Sequence, residues 1–262
     1  MVSLGIIGWP LKMTLSPKLH KYLFKITNLE GVYDQLPIEK IDPLNIKNVI
    51  SKYLGLNITI PHKESVYEAL VDSCISSDSV KNIGAVNTIV SKNGLTSLHN
   101  TDYIGFSEEI SRLKFNAENK TILILGTGGS SKSIQFALRN LNPKKVYVAS
   151  RTPYGEQIDY SDINSVSSEV NLVINTTPLG MPPYESESPL GSLGDFKDLD
   201  VLIDIGYSKK ETKFMKSQKN AEVVNGIGML IAQGIESFNL WTDNSLNFQD
   251  LYEELKVHLE GD

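Results

Sequence analysis

A single cysteine, Cys74, among 262 residues excludes an internal disulfide and a thiolate-built metal cluster. No apolar run is long enough to cross a bilayer, so no membrane partner is expected. The first residues, Met1-Val2-Ser3-Leu4-Gly5-Ile6-Ile7-Gly8, lack a basic region and do not read as a secretory signal. Positive charge is also in short supply. Against 31 acidic residues stand 25 Lys and Arg, a net charge of −6, so no surplus exists to neutralise a nucleic-acid backbone. A local basic pocket for a small phosphate stays compatible with that balance. The four histidines (His20, His62, His99 and His258) show no ligand spacing with carboxylates, and no metal is expected. Repeats and low-complexity tracts are missing too. What remains is an ordinary globular composition, 40% hydrophobic and 21% charged, expected to be a cytoplasmic α/β protein.

One stretch organises the rest: Thr121-Ile122-Leu123-Ile124-Leu125-Gly126-Thr127-Gly128-Gly129-Ser130-Ser131-Lys132-Ser133. Five β-favouring residues, apolar on both faces, suit a central parallel strand. They run into Gly126-x-Gly128 and then a helix-compatible segment. Glycines there permit a tight turn and let backbone N–H groups approach a pyrophosphate at a helix N-terminus. A glycine-rich turn that only packs strand on helix is the alternative, because Ser131 replaces the third glycine.

Taken in order, residues 2–7, 32–38 and 55–60 read as strands. Ser16-Pro17 reads as a helix start, serine as N-cap, followed by Leu19, Tyr22, Leu23 and Ile26 at helical spacing. Residues 45–53 and 65–71 are expected to be helical, and 83–90 with 95–98 to form a hairpin around Asn93-Gly94. Residues 104–113 are periodic again. The polar connector 115–120 marks a domain boundary, because the glycine-rich strand follows it at once. Beyond it, strands at 121–125, 145–149, 171–175, 201–205 and 222–224 alternate with helices at 131–141 and 211–219. That alternation indicates a parallel, doubly wound sheet. Residues 152–170 form helix poorly, 179–198 read as a surface loop, and helices are expected at 229–241 and 248–259.

Each residue that can carry chemistry also has a plain structural reading. Lys63 follows a strand in Asn57-Ile58-Thr59-Ile60-Pro61-His62-Lys63, where open α/β sheets bind ligands, yet lone lysines there are mostly solvated. In Asn100-Thr101-Asp102, either Asp102 pairs with Lys63 or Asp102 or Thr101 caps the following helix, and spacing alone favours the cap. Thr14 and Ser16 present two hydroxyls two residues apart. Asn87 ends an apolar segment as a turn residue or an amide ligand. Gln233 sits in an otherwise apolar helix and needs a partner, protein or ligand. After the strand at 145–149 come Ser150-Arg151-Thr152, with no acidic residue until Glu156. A guanidinium there suits a 2′-phosphate, so NADP is favoured over NAD.

Read together, the motifs resemble the shikimate dehydrogenase family along the whole chain. Gly8-x-Pro10, Thr14-x-Ser16-Pro17-x-x-His20, Asn57-x-Thr59-x-Pro61-x-Lys63, Gly84-Ala85-Val86-Asn87-Thr88 and Asn100-Thr101-Asp102 follow the family's order. So do Gly126-Thr127-Gly128-Gly129, Arg151-Thr152, Asn175-Thr176-Thr177-Pro178-x-Gly180-Met181, Asp204-x-x-Tyr207, Gly228-Met229-Leu230-x-x-Gln233 and Trp241-Thr242. The resemblance implies an NADP-dependent oxidoreductase that reduces 3-dehydroshikimate to shikimate in aromatic amino-acid (chorismate) biosynthesis. Lys63 would be the acid/base and Asp102 its partner. Thr14, Ser16, Thr59, Asn87, Tyr207 and Gln233 would bind the small-molecule substrate. Gly126, Thr127, Gly128, Gly129, Ser130, Ser150, Arg151 and Thr152 would hold NADP, with Ile205 and Gly226 near its nicotinamide. It further implies a Rossmann-like NADP domain, 103–226, inserted between an α/β substrate domain, 1–102, and C-terminal helices, 227–262, that return to it. A homodimer is compatible with it, and the sequence leaves oligomeric state open. Met13, Thr14, Leu98, Tyr103, Ser150, Lys209 and Asn225 depart from the usual pattern, and none removes a catalytic group. A quinate or amino-shikimate dehydrogenase of the same fold, or a ligand sensor without activity, are the alternatives.

Overall fold

The structure, a computed structural model, describes every residue except Lys12, Met13, Ser192, Asp195, Ser208, Lys209, Lys219 and Asp262, so the departures at Met13 and Lys209 lie outside the described residues. In chain order come β1 (Val2–Gly8), α1 (Ser16–Ile26), β2 (Gly31–Pro37), α2 (Pro43–Ile50), β3 (Gly55–Ile58) and α3 (Lys63–Leu70). Then follow β4 (Ile75–Ser76), α4 (Asp78–Ile83), β5 (Thr88–Lys92), β6 (Leu95–His99) and α5 (Asp102–Arg112). The glycine-rich region begins with β7 (Thr121–Leu125) and α6 (Gly129–Arg139), and continues through β8 (Lys145–Ser150), β9 (Ile158–Asp159) and α7 (Ile163–Val166). It ends with β10 (Val170–Asn175), β11 (Val201–Asp204) and β12 (Glu222–Asn225), after which α8 (Ile227–Thr242) and α9 (Phe248–Glu260) close the chain. No helix among the described residues is long and apolar enough to cross a membrane.

Two compact units result: Met1–Arg112 with Met229–Asp262, and Leu113–Gly228. In the first, the strand order is β2-β1-β3-β5-β6-β4. β1 runs parallel to β2 and β3, whereas β5 is antiparallel to both β3 and β6. This mixed sheet brings the end of β3, the start of β5 and the end of β6 to one edge. Ile46 and Ile50 of α2 and Val66 and Leu70 of α3 are buried in one cluster with Leu56, Ile58 and Ile89 of the strands. α2 starts where Asp42 Oδ1 accepts from Leu44 and Asn45 N–H, with Pro43 in the first turn.

The second unit is an all-parallel sheet in the order β12-β11-β10-β7-β8-β9, with the fully buried β7 near its centre. Strands added to both sides of β7 put a switch point at the carboxyl ends of β7 and β10, where doubly wound sheets bind ligands.

Local readings failed where tertiary contacts override pattern. Among the described residues of the expected helix 211–219, the only helical turn is a 3-10 turn, Met215–Ser217; Thr212 Oγ1 accepts from Met215 N–H at 3.1 Å and Phe214 is buried beside it. The segment 83–90 is not one strand. It finishes α4, whose start is capped by Ser77, turns at Gly84 and enters β5 only at Thr88. The weak crossover 152–170 holds the short β9, followed by α7 with a 3-10 turn on either side of it. α5 belongs to the first unit: Phe106 and Ile110 are buried, and Gly105 abuts Met229 and Gln233. The first unit thus runs one helix past the boundary at residue 102.

A second set of contacts joins the first unit's sheet to α1 and α8. Trp241, fully buried, donates Nε1–H to the Ile89 carbonyl at 2.8 Å. His20 is wholly buried, stacked on Tyr33 at 4.2 Å, and neither ring nitrogen has a hydrogen-bond partner among the described residues. Burial pushes its pKa down to about 3; Asn57 lies close enough to offset a little of this without making a well-formed bond.

The linkage sign follows from the lowered value. Unfolded His20 binds a proton below the ordinary imidazole value of 6.5 and native His20 does not until about 3. Stability therefore falls as pH drops through that window, by about 1.4 kcal/mol per unit at most. His20→Phe should flatten the fall, read from urea midpoints between pH 7 and pH 4. Parallel curves for the two proteins would contradict a buried neutral ring.

Candidate active site

Four side chains meet at the end of the first sheet where β3 and β6 finish and β5 begins. Lys63 opens α3 just beyond β3, and its backbone is fixed by Val86 N–H donating to the Lys63 carbonyl at 2.8 Å. Its Nζ donates to Asp102 Oδ2 at 2.5 Å, with the two side chains 12% and 7% exposed. Asp102 begins α5 but does not cap it. Its other oxygen, Oδ1, accepts from Asn87 Nδ2 at 2.8 Å, while Asn100 Oδ1 takes the Asp102 N–H. The Asp102 half of the cap reading is thus overturned, because the carboxylate is spent on a lysine and an amide. Thr101 holds the cap position, its carbonyl accepting from Gly105 N–H at 2.9 Å while its hydroxyl faces the cluster beneath. Asn87 Nδ2 also reaches Gln233 Oε1 of α8 at 3.4 Å.

The orientation of the Asn87 amide follows from donors and acceptors. The backbone N–H of Thr101, which can only donate, meets Asn87 Oδ1 at 2.6 Å. The carbonyl end is thereby pinned, and the NH₂ end must face Asp102. Beneath it lies a layer of buried hydroxyls. Ser237 Oγ is 2.8 Å from Thr88 Oγ1 and 3.0 Å from Thr101 Oγ1, and accepts from Asn57 Nδ2 at 3.1 Å. Ser237, Thr88 and Asn57 had no assigned role from sequence, and Thr101 only that of a possible helix cap. The available signal was Ser237 standing four residues after Gln233, on the same face of an apolar helix.

The other expected ligands divide. Ser16 is the first residue of α1, whose N-cap is Leu15 without a side-chain bond, so the N-cap reading of Ser16 is overturned. Its hydroxyl makes no hydrogen bond among the described residues, while its N–H donates to Thr14 Oγ1 at 3.2 Å. Thr59 is tied through its backbone to Ile7 and His62. His62 is spent on the Ile38 carbonyl at 2.6 Å, a structural part. Tyr207 belongs to the second unit.

In the second unit Gly126 has φ 103, and a Cβ there would lie 2.8 Å from Thr176 Oγ1. Only glycine holds that left-handed turn at this closeness. Gly128 is the N-cap of α6 and Gly129 its first residue, with no side-chain cap and no acidic residue in the first turn. The helix N-terminus beside Thr127 and Ser130 is thus open to an anion. Ser150 Oγ accepts from Thr152 N–H at 3.2 Å, shaping the turn from which exposed Arg151 projects. These residues fit a pyrophosphate and a 2′-phosphate. Ile205 and Gly226 leave the ends of β11 and β12, where Gly226 N–H donates to the Gly206 carbonyl at 2.9 Å. Asp204 braces this end. Burial pushes its carboxyl up, opposed by bonds from Thr212 Oγ1, Gly206 N–H and Asn175 Nδ2.

Fold and site together define the class: a two-domain α/β dehydrogenase with a dinucleotide-type parallel sheet. Within that class, residues 6–89 match the shikimate dehydrogenase substrate binding domain and residues 226–256 the shikimate 5′-dehydrogenase C-terminal domain. The chain is similar to an NADP(+) shikimate dehydrogenase of Clostridium perfringens, 36% identical over 98% of this chain and 99% of that one. A homologue of that name from Methanococcus vannielii is 37% identical over 92% and 91%. Among solved structures, shikimate dehydrogenase 1 of Peptoclostridium difficile superposes with a TM-score of 0.89 at 31% identity, covering 100% of both chains. The Thermus thermophilus shikimate 5-dehydrogenase in complex with NADP(H) and shikimate gives 0.80 at 28% identity, over 98% and 100%. The chain belongs to the shikimate dehydrogenase family.

Removing the Asn87 amide leaves the Thr101 N–H and one Asp102 oxygen without partners in a buried site. Asn87→Ala should therefore lower unfolding stability by about 1–3 kcal/mol in urea titrations. An unchanged midpoint would show that the amide is not the clamp described.

Proposed function

We propose that this chain is an NADP-dependent shikimate dehydrogenase, reducing the ketone of 3-dehydroshikimate to the hydroxyl of shikimate. The observation that carries the reading is the 2.5 Å contact of Lys63 Nζ with Asp102 Oδ2, held by Asn87 at a strand edge. Its ligands are small molecules, and its compartment is the cytoplasm. Residues 1–112 with the C-terminal helices act as the substrate domain and 113–228 as the NADP domain.

Bound NADPH supplies the hydride that reaches the ketone carbon. Lys63 Nζ supplies the proton to the ketone oxygen, so that one C–H and one O–H bond form as the C=O double bond becomes single. Asp102 aims the lysine and accepts a hydrogen bond from a ring hydroxyl. Thr14, Ser16, Thr59, Asn87, Gln233 and Tyr207 bind the remaining hydroxyls and the carboxylate. The Ser16 hydroxyl, which makes no hydrogen bond among the described residues, supports that part. Gly126–Ser130 hold the pyrophosphate, Ser150–Thr152 the 2′-phosphate, and Ile205 and Gly226 flank the nicotinamide. The uncapped, acid-free start of α6 and the exposed Arg151 support these roles.

NADPH oxidation with 3-dehydroshikimate, followed by absorbance, tests the reading directly. Lys63→Ala should lower kcat by about 10²–10⁴ in a folded protein. Near-normal turnover would remove the lysine from its role. Arg151→Ala should raise KM for NADP by about tenfold or more while leaving KM for NAD little changed. Comparing kcat/KM for shikimate and quinate assigns the preferred substrate, and no turnover of either points to a sensor.

A further inference from the structure

α5 and α8 cross at a glycine. Gly105 lies one turn beyond Asp102, and a Cβ built on it would stand 2.8 Å from the Met229 carbonyl oxygen, 2.9 Å from Gln233 Cβ and 3.0 Å from Gln233 N. Two of these atoms are backbone and the third is the first carbon of a side chain. No rotamer change relieves such contacts; the helices must separate. At its far end α8 cannot follow, because Ser237 is bonded to Thr88, Thr101 and Asn57 and Trp241 to the Ile89 carbonyl. A methyl group at residue 105 therefore pivots the first turns of α8 about Ser237 and carries Gln233 outward. The Gln233 Oε1 to Asn87 Nδ2 bond, already 3.4 Å long, has little room to lengthen.

We propose that Gly105 is a specificity-determining position: by allowing α8 to touch α5, it sets the distance of the Gln233 amide from Asn87 and Asp102. It thereby sets the width of a pocket for a ring carrying hydroxyls on adjacent carbons. Gly105 touches no substrate and acts through Gln233, as a positioning residue. The proposal rests on the reading of Gln233 as a substrate ligand.

A double-mutant cycle tests it, using the wild type, Gly105→Ala, Gln233→Ala and the combination, with KM for shikimate, KM for NADP and kcat measured on each. Gly105→Ala should raise KM for shikimate about tenfold and leave KM for NADP unchanged. In the Gln233→Ala background the same change should add little, because the group it displaces is already gone. Urea titration of all four proteins fixes a temperature at which each is folded. A full tenfold effect in the Gln233→Ala background overturns the proposal, as does an unchanged KM in folded Gly105→Ala. A Gly105→Ala chain that folds at no temperature also overturns it, since the methyl then acts on the fold and not on Gln233. A wild type inactive toward shikimate would instead retire the proposed reaction.

Discussion

The site hangs on one backbone donor. Thr101 N–H fixes the oxygen of the Asn87 amide, the nitrogen of that amide then faces Asp102, and Asp102 faces Lys63. Side-chain amides can flip at little intrinsic cost, and hydroxyls rotate freely, so a cluster built only from them would have several near-equal arrangements. A peptide N–H cannot rotate. Because the cluster is buried, each wrongly matched donor costs about 1–3 kcal/mol, enough to leave one hydrogen-bond pattern dominant.

Sheet topology makes that donor available. β5 runs against β3 and β6 against β5, so a residue entering β5 and one leaving β6 fall at the edge where β3 ends. Asn87 N–H donates to the His99 carbonyl and Ile58 N–H to the Asn87 carbonyl, which locks the strand ends together. The second sheet reaches a comparable result with parallel strands alone. There Asp204 joins the ends of β10 and β11 through Asn175 and the following turn through Thr212.

Much of this was legible in sequence, and the failures share a cause. The glycine-rich turn was visible because Gly126 needs a left-handed backbone that composition can flag. The strand ahead of Arg151 was visible in the run 145–149, which the structure holds as β8, Lys145–Ser150. Lys63 and Asp102 could not be paired from spacing, since 39 positions separate them and only the β3–β5–β6 register brings them together. For the same reason a helix cap was the better local reading of Asp102. Ser16 failed as an N-cap because the first helical bond closes one residue earlier, from Leu19 N–H to the Leu15 carbonyl at 3.0 Å. The 3-10 turn at Met215–Ser217 could not be told from a helix by apolar spacing, because the Thr212 hydroxyl that holds it is a tertiary choice, also bonded to Asp204.

The first unit is discontinuous in the chain while the second is not, and this orders events during synthesis. Met1–Arg112 emerges long before Met229–Asp262, so the sheet must wait for Trp241 to reach Ile89 and for Ser237 to reach Thr88. The intervening unit, Leu113–Gly228, is complete in sequence before α8 emerges beyond Gly228. Until α8 and α9 leave the ribosome, the nascent chain carries a complete second unit and an unsealed apolar sheet, the kind of surface on which chaperones act.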